Sequence, residues 1–169
     1  MKKLLLIGFL FAAISGCSTT SGLDAKTSTS GFDGKKSVTI MPHSASCSTM
    51  ICPAIGATWI EDKPDLVGLN FEVVNDLRTI SAAELNIDGD IIRLTNRELT
   101  SLSTNQGLSS SKLYVTDYKI INKILDSNRT WVRLSTSKGY LEAPIIDSGK
   151  DSKAFHALKR FKQQVDSAK

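Results

Sequence analysis

The sequence predicts an α+β fold, an antiparallel sheet of about six or seven strands with two helices, near 116–126 and 152–166. Three observations carry this expectation. Val67, Leu69, Phe71 and Val73 alternate with Gly68, Asn70 and Glu72, the two-residue period of a strand with one face in a core. Asp88-Gly89 and Lys138-Gly139 each separate two strand-like runs, as β-hairpin turns do. Phe155, Leu158, Phe161 and Val165 recur at the spacing of an amphipathic helix. A run of strands followed by helix, hairpin and helix suits helices laid on one side of the sheet; a β-sandwich with helical additions is the alternative.

Taken along the chain, Val38 and Ile40 alternate with Ser37 and Thr39 in a first strand that ends at Pro42. Ala57-Thr58-Trp59-Ile60 reads as a second strand. Asn75-Asp76 is placed to turn the 67–73 strand back so that Phe71 faces Ile80. A two-residue turn at Asp88-Gly89 sets Leu85 opposite Ile92, Ala83 opposite Leu94 and Glu84 opposite Arg93. Slipping by one residue would set Leu85 against Arg93, so the register is strongly specified. Ile80 and Leu85 differ in parity and cannot share one face of a regular strand, which predicts a β-bulge near Ala82-Ala83 or a break there.

From Thr100 to Lys112 the chain is rich in Ser and Thr and contains Asn105-Gln106-Gly107, so it reads as a surface loop, with a strand extension through Leu99 and Leu102 as the alternative. Thr116 stands as N-cap, with Asp117 in the first turn, of a helix carrying Tyr118, Ile121, Ile124 and Leu125. A two-residue turn at Lys138-Gly139 then opposes Leu134 to Ala143 and Val132 to Ile145, with Trp131, Arg133, Tyr140 and Glu142 on the reverse face. Asp151 or Ser152 caps the last helix, whose wet side is Lys153, Lys159, Lys162 and Gln163.

At the N-terminus, Met1-Lys2-Lys3 precedes an apolar run from Leu4 to Ile14 and then Ser15-Gly16-Cys17. This is the basic, apolar and small-residue build of a secretory signal peptide, and its run of about 11 residues is short of the ~20 a membrane-spanning helix needs. Ile14-Ser15-Gly16-Cys17 resembles the lipobox of bacterial lipoproteins. The resemblance implies that the Cys17 sulfur takes a diacylglyceryl group, that cleavage falls before it, and that the new amino group is open to acylation. Ser18, rather than Asp, follows the cysteine, which resembles the outer-membrane sorting signal of enterobacterial lipoproteins. Such an anchor holds because each buried methylene contributes about 0.8 kcal/mol and two or more acyl chains bind stably. The expected organisation is a signal peptide at 1–16, a lipidated flexible tether at 17–36 and one globular domain at 37–169. Ser, Thr, Gly, Lys and Asp dominate from Ser18 to Lys36, and a coil of that length spans about 24 Å.

The 169 residues, 41% hydrophobic and 22% charged, suffice for one core and argue against disorder. Two of the 21 basic side chains, Lys2 and Lys3, belong to the leader, so the mature balance is 19 basic against 17 acidic and no nucleic acid is implied. Cys47 and Cys52 enclose four residues, and in an exported chain such a pair forms a small structural disulfide contributing about 2–3 kcal/mol. A redox pair favours two intervening residues, and zinc needs more ligands than His43, Cys47 and Cys52 supply, so neither metal nor cofactor is implied. There is no Gly-rich phosphate loop, no GxSxG elbow and no HExxH. A Ser-His-Asp set needs no sequence proximity, and His43 and His156 are the two histidines open to that role. Asp88 with Asp90 and Glu61 with Asp62 read as turn formers or solvated charges. Trp131, Arg133, Tyr140 and Glu142 form the candidate binding face, since rings beside a guanidinium anchor protein partners or stack on sugars; the alternative is that Trp131 and Tyr140 pack beneath a helix while Arg133 pairs with Glu142. The expectation is an outer-membrane lipoprotein, on its periplasmic or surface side, whose domain binds an envelope protein or peptidoglycan. An envelope hydrolase or an inhibitor of a cell-wall-degrading enzyme is the alternative.

Overall fold

A computed structural model describes residues 24–95, 99–105 and 107–169; the expected signal peptide, Cys17 and the first part of the expected tether lie outside the described residues. The first eight strands are β1 (Lys26–Thr29), β2 (Lys36–Ser44), β3 (Cys52–Ile60), β4 (Leu66–Val74), β5 (Ile80–Ile87), β6 (Asp90–Leu94), β7 (Ser101–Ser103) and β8 (Ser109–Asp117). Helix α1 (Lys119–Asp126), strands β9 (Arg129–Thr136), β10 (Gly139–Asp147) and β11 (Lys150–Asp151), and helix α2 (Lys153–Ala168) follow. The strands form two antiparallel sheets, a first of order β1-β2-β3-β4-β8-β7 and a second of order β11-β10-β9-β5-β6. The fold is therefore mostly antiparallel sheet with two helices, as the sequence predicts, with eleven strands among the described residues where six or seven are expected.

Val67, Leu69, Phe71 and Val73 are buried on one face of β4, each contributing about 1.5–3 kcal/mol relative to exposure. Their core is shared with Ala83, Leu85, Val132, Leu134 and Ile145 of the second sheet, with Ile121 and Ile124 of α1 and with Leu158, Phe161 and Val165 of α2. Helix α2 lies on β2 and β3 and touches α1. Ser152 caps it as expected, its Oγ accepting from the Phe155 amide at 3.2 Å.

The Asp88-Gly89 hairpin has the predicted register, Leu85 to Ile92, Glu84 to Arg93 and Ala83 to Leu94. Asp88 and Gly89 both take positive φ, as a type I′ turn requires. The β5 register against β9 shifts between Ile80 and Ala82, the irregularity that the parity of Ile80 and Leu85 predicts.

The first strand does not end at Pro42 but runs to Ser44, because a register shift between Ile40 and His43 takes the proline out of the ladder. Five further expectations are corrected. Residues 26–29, read as tether, form β1 at the sheet edge; its wholly exposed Lys-Thr-Ser-Thr has no apolar alternation to reveal it. The expected loop at 100–112 contains β7 and runs into β8, which pairs with β4 along its whole length. Ser110, Lys112 and Tyr114 are buried on β8, and two polar residues at inward positions break the apolar period. Those polar groups are bonded: Ser110 Oγ accepts from the Arg78 amide at 2.8 Å and donates to Asp76 O at 3.2 Å, and Lys112 Nζ donates to Ile80 O at 3.2 Å.

That network also explains the third correction. Phe71 pairs with Ile55 and Lys112, not Ile80, because the chain after β4 crosses to the second sheet through a polar corner. There Asp76 pairs with Arg78 and with Lys138 Nζ, the latter at 2.7 Å, and the carboxyl is held down at about 2. Fourth, α1 starts at Lys119, since Thr116 stays in the ladder opposite Val67; Asp117 Oδ1 accepts from the Lys119 amide at 2.7 Å. Fifth, the β9–β10 turn is Ser137-Lys138, with Thr136 opposite Gly139, so Leu134 faces Leu141 and Val132 faces Ala143. Thr136 Oγ1 sets this turn by accepting from the Lys138 amide and donating to Gly139 O. The displacement is two residues, so every side chain keeps its expected face.

Candidate functional site

Trp131, Arg133, Tyr140 and Glu142 come together on the outer face of the second sheet, where β9 and β10 place them by simple alternation with buried Thr130, Val132, Leu134 and Ala143. The pairing of β5 with β9 adds residues the sequence reading left apart, joining the hairpin at 80–94 to the hairpin at 129–147. Across β10, β9, β5 and β6, Glu142, Arg133, Glu84 and Arg93 stand in one row. Arg133 Nε donates to Glu142 Oε1 at 2.5 Å, Arg133 Nη1 lies 3.4 Å from Glu84 Oε2, and Arg93 Nε lies 2.8 Å from Glu84 Oε1. Four charges of alternating sign thus cross four strands. The Glu142 and Glu84 carboxylates raise the Arg133 pKa further above its ordinary value.

The next row is Pro144, Trp131, Asn86 and Ile91. Trp131 Nε1 donates to Asp147 Oδ2 at 2.9 Å, a bond that fixes the ring and leads the groups, with Ser148 and Arg129, that hold the Asp147 carboxyl below its usual range. The Arg129 guanidinium sits 5.2 Å from the Trp131 ring centre and that of Arg133 5.6 Å from the Tyr140 ring centre. Tyr140 is 72% exposed and Ile91 62% exposed, so apolar surface remains open beside the charges. A depression of about 190 Å³ lies among Glu84, Asn86, Ile91, Arg129, Trp131, Arg133 and Glu142.

Of the missed residues, Glu84 and Arg93 carried a signal, their predicted cross-strand pairing at the Asp88-Gly89 turn. Arg129, Asn86 and Ile91 carried none, because their place beside Trp131 depends on which hairpins adjoin.

Cys47 and Cys52 form a disulfide with Cα atoms 5.9 Å apart. It closes the loop between β2 and β3, where Cys52 is buried. His43 is buried on β2, its Nδ1 donating to Met41 O at 2.7 Å and its Nε2 accepting from Arg160 Nη2 at 3.4 Å. Both ring nitrogens are thereby engaged in structural bonds. His156 Nε2 lies 3.2 Å from Asp151 Oδ2 on the exposed side of α2. Asp88 serves the turn, its carboxylate accepting from the Asn128 and Arg129 amides, and Glu61 Oε2 accepts from the Lys36 amide. Among the described residues no three His, Cys, Asp or Glu side chains group as a metal site, and no helix is long and apolar enough to cross a membrane.

No protein-family model, curated protein or solved structure matches the chain.

Proposed function

We propose that the chain is a bacterial outer-membrane lipoprotein, lipid-anchored at Cys17, whose domain binds a protein partner through the outer face of the second sheet. The anchor reading rests on Lys2-Lys3, the apolar run and Ile14-Ser15-Gly16-Cys17. The observation that carries the binding reading is the gathering of Trp131, Arg133 and Tyr140 with Arg129, Glu84 and Glu142 on one open sheet face. Trp, Tyr and Arg are the residues that most often dominate protein interfaces.

A protein partner is favoured over a glycan by the state of the rings. A sugar stacks on a bare aromatic face, but a guanidinium stands near each of these rings, and the charges are arrayed as a ladder that a peptide surface can match. The assay is site-specific photocrosslinking from the outer face in intact cells. Trp131→Ala and Arg133→Ala should each remove the crosslinked band while leaving the fold intact; retention of that band in both variants would refute the face. For the anchor, Cys17→Ala should abolish fatty-acid labelling and membrane fractionation, and unchanged labelling would overturn it.

A further inference from the structure

We infer that the partner seated on this face is a second copy of the chain, related by a two-fold axis parallel to the strands; the inference rests on the proposed binding role of the face. The argument is one of symmetry. The row Glu142, Arg133, Glu84, Arg93 reads minus, plus, minus, plus across the sheet. Turned over by a two-fold axis that passes between β9 and β5, it meets itself in reverse order. Glu142 then faces Arg93 of the second copy and Arg133 faces Glu84, and the same two contacts repeat across the axis, as an isologous interface demands. An even row of alternating charges is complementary to its own reversed image. A row of one sign, or of odd number, is not.

The neighbouring row obeys the same operation. Pro144 falls opposite the exposed Ile91 of the second copy, and Trp131 falls opposite Asn86, an amide that can lie on the ring. Pro144 therefore meets an apolar side chain and Trp131 an uncharged one, with no like-charge contact in either row. Parallel strand axes in the two copies are also the aligned arrangement in which twisted sheets pack face to face.

The area indicates how strong the contact is. Four strands about 4.8 Å apart and about six residues long present roughly 20 by 20 Å, or near 400 Å² of plane on each copy. The total is well under the ~1,600 Å² of a standard stable interface. The pair is consequently weak in dilute solution and favoured where copies are confined together, as a common membrane anchor confines them. It is also salt-sensitive, because the ladder is solvent-accessible before closure.

The test uses two differently tagged full-length copies expressed in one cell, extracted in mild detergent and captured through one tag. Wild-type copies should capture each other, and capture should fall sharply at ~1 M salt, where the Debye length is about 3 Å. A chain with Glu84→Arg and Glu142→Arg carries an all-basic row, and one with Arg93→Glu and Arg133→Glu an all-acidic row. Each should lose self-capture about tenfold or more, while the two together should recover it. Thermal melts of both variants confirm folding before the capture is read. Self-capture by the all-basic or all-acidic chain, or failure of the mixed pair, overturns the dimer. If wild-type copies do not capture each other but the Trp131-dependent crosslink is to a different protein, the dimer falls and the binding face stands. If neither occurs, both fall.

Discussion

Replacing Gly56 by alanine probes how β2 is seated on β3. The register of β2 shifts between Ile40 and His43, and the bulged segment closes directly over Gly56. A Cβ at this position would lie 2.6 Å from Ile40 O, 2.8 Å from Pro42 N and 3.0 Å from Met41 C. All three are backbone atoms, so no side chain can rotate aside. Reaching the 3.4 Å of ordinary contact requires the bulge to lift from the strand. Two effects oppose each other. Alanine restricts the unfolded chain and would stabilise by about 0.4–1 kcal/mol where the native backbone accommodates it. Overpacking costs about 1–3 kcal/mol, so the clash wins by about 1–2 kcal/mol. At about 2–4 °C per kcal/mol for a chain of this size, Tm should fall by about 2–8 °C. The assay is thermal unfolding by circular dichroism, with Gly68→Ala as the control. The Cβ added at Gly68 meets Leu113 Cδ1 at 3.0 Å, the end of a flexible side chain, and that variant should melt within about 2 °C of wild type. If Gly56→Ala melted at or above wild type, the packing account of the bulge would be wrong.

Two further outcomes follow from the turn and the polar corner. Replacing Asp88-Gly89 by Val-Val puts β-branched residues at positive φ and removes the carboxylate that holds the Asn128 and Arg129 amides, so the melting temperature should drop by several degrees; an unchanged value would mean that no tight turn operates there. Asp76 is held at about 2 by Lys138 and Arg78, a depressed carboxylate whose stabilising effect is present above its ordinary value near 3.8 and is lost as pH falls through about 2. Melting temperatures between those limits should therefore decline less steeply in Asp76→Asn than in wild type, and equal slopes would exclude Asp76 as a source of the acid sensitivity.

The local features were legible for local reasons. Asp88-Gly89 demands positive φ at two adjacent residues, and together with the inward Leu85, Ala83, Ile92 and Leu94 it leaves one register. The stripe of α2 and its Ser152 cap needed nothing beyond helical spacing. Even where the β9–β10 turn moved, the two-residue period kept Trp131, Arg133, Tyr140 and Glu142 on the face that the sequence assigns them. In contrast, β8 escaped detection because Ser110 and Lys112 occupy inward positions. Their burial is tolerable only because Arg78, Asp76 and Ile80, more than thirty residues away, complete their hydrogen bonds.

The amino-acid sequence by itself determined the class of fold, the Asp88-Gly89 hairpin, the disulfide partners and the face on which each side chain of β9 and β10 stands, because each depends on neighbours within a few residues and on a fixed backbone period. Only the tertiary structure decided that the chain crosses between two sheets after β4, after β6 and after β8, and that β5 lies against β9. That second choice sets Glu84 beside Arg133 and turns two separate ion pairs into one alternating row. Local turn chemistry specifies how a hairpin closes, but which hairpins adjoin is settled by the shared burial of faces far apart in the chain.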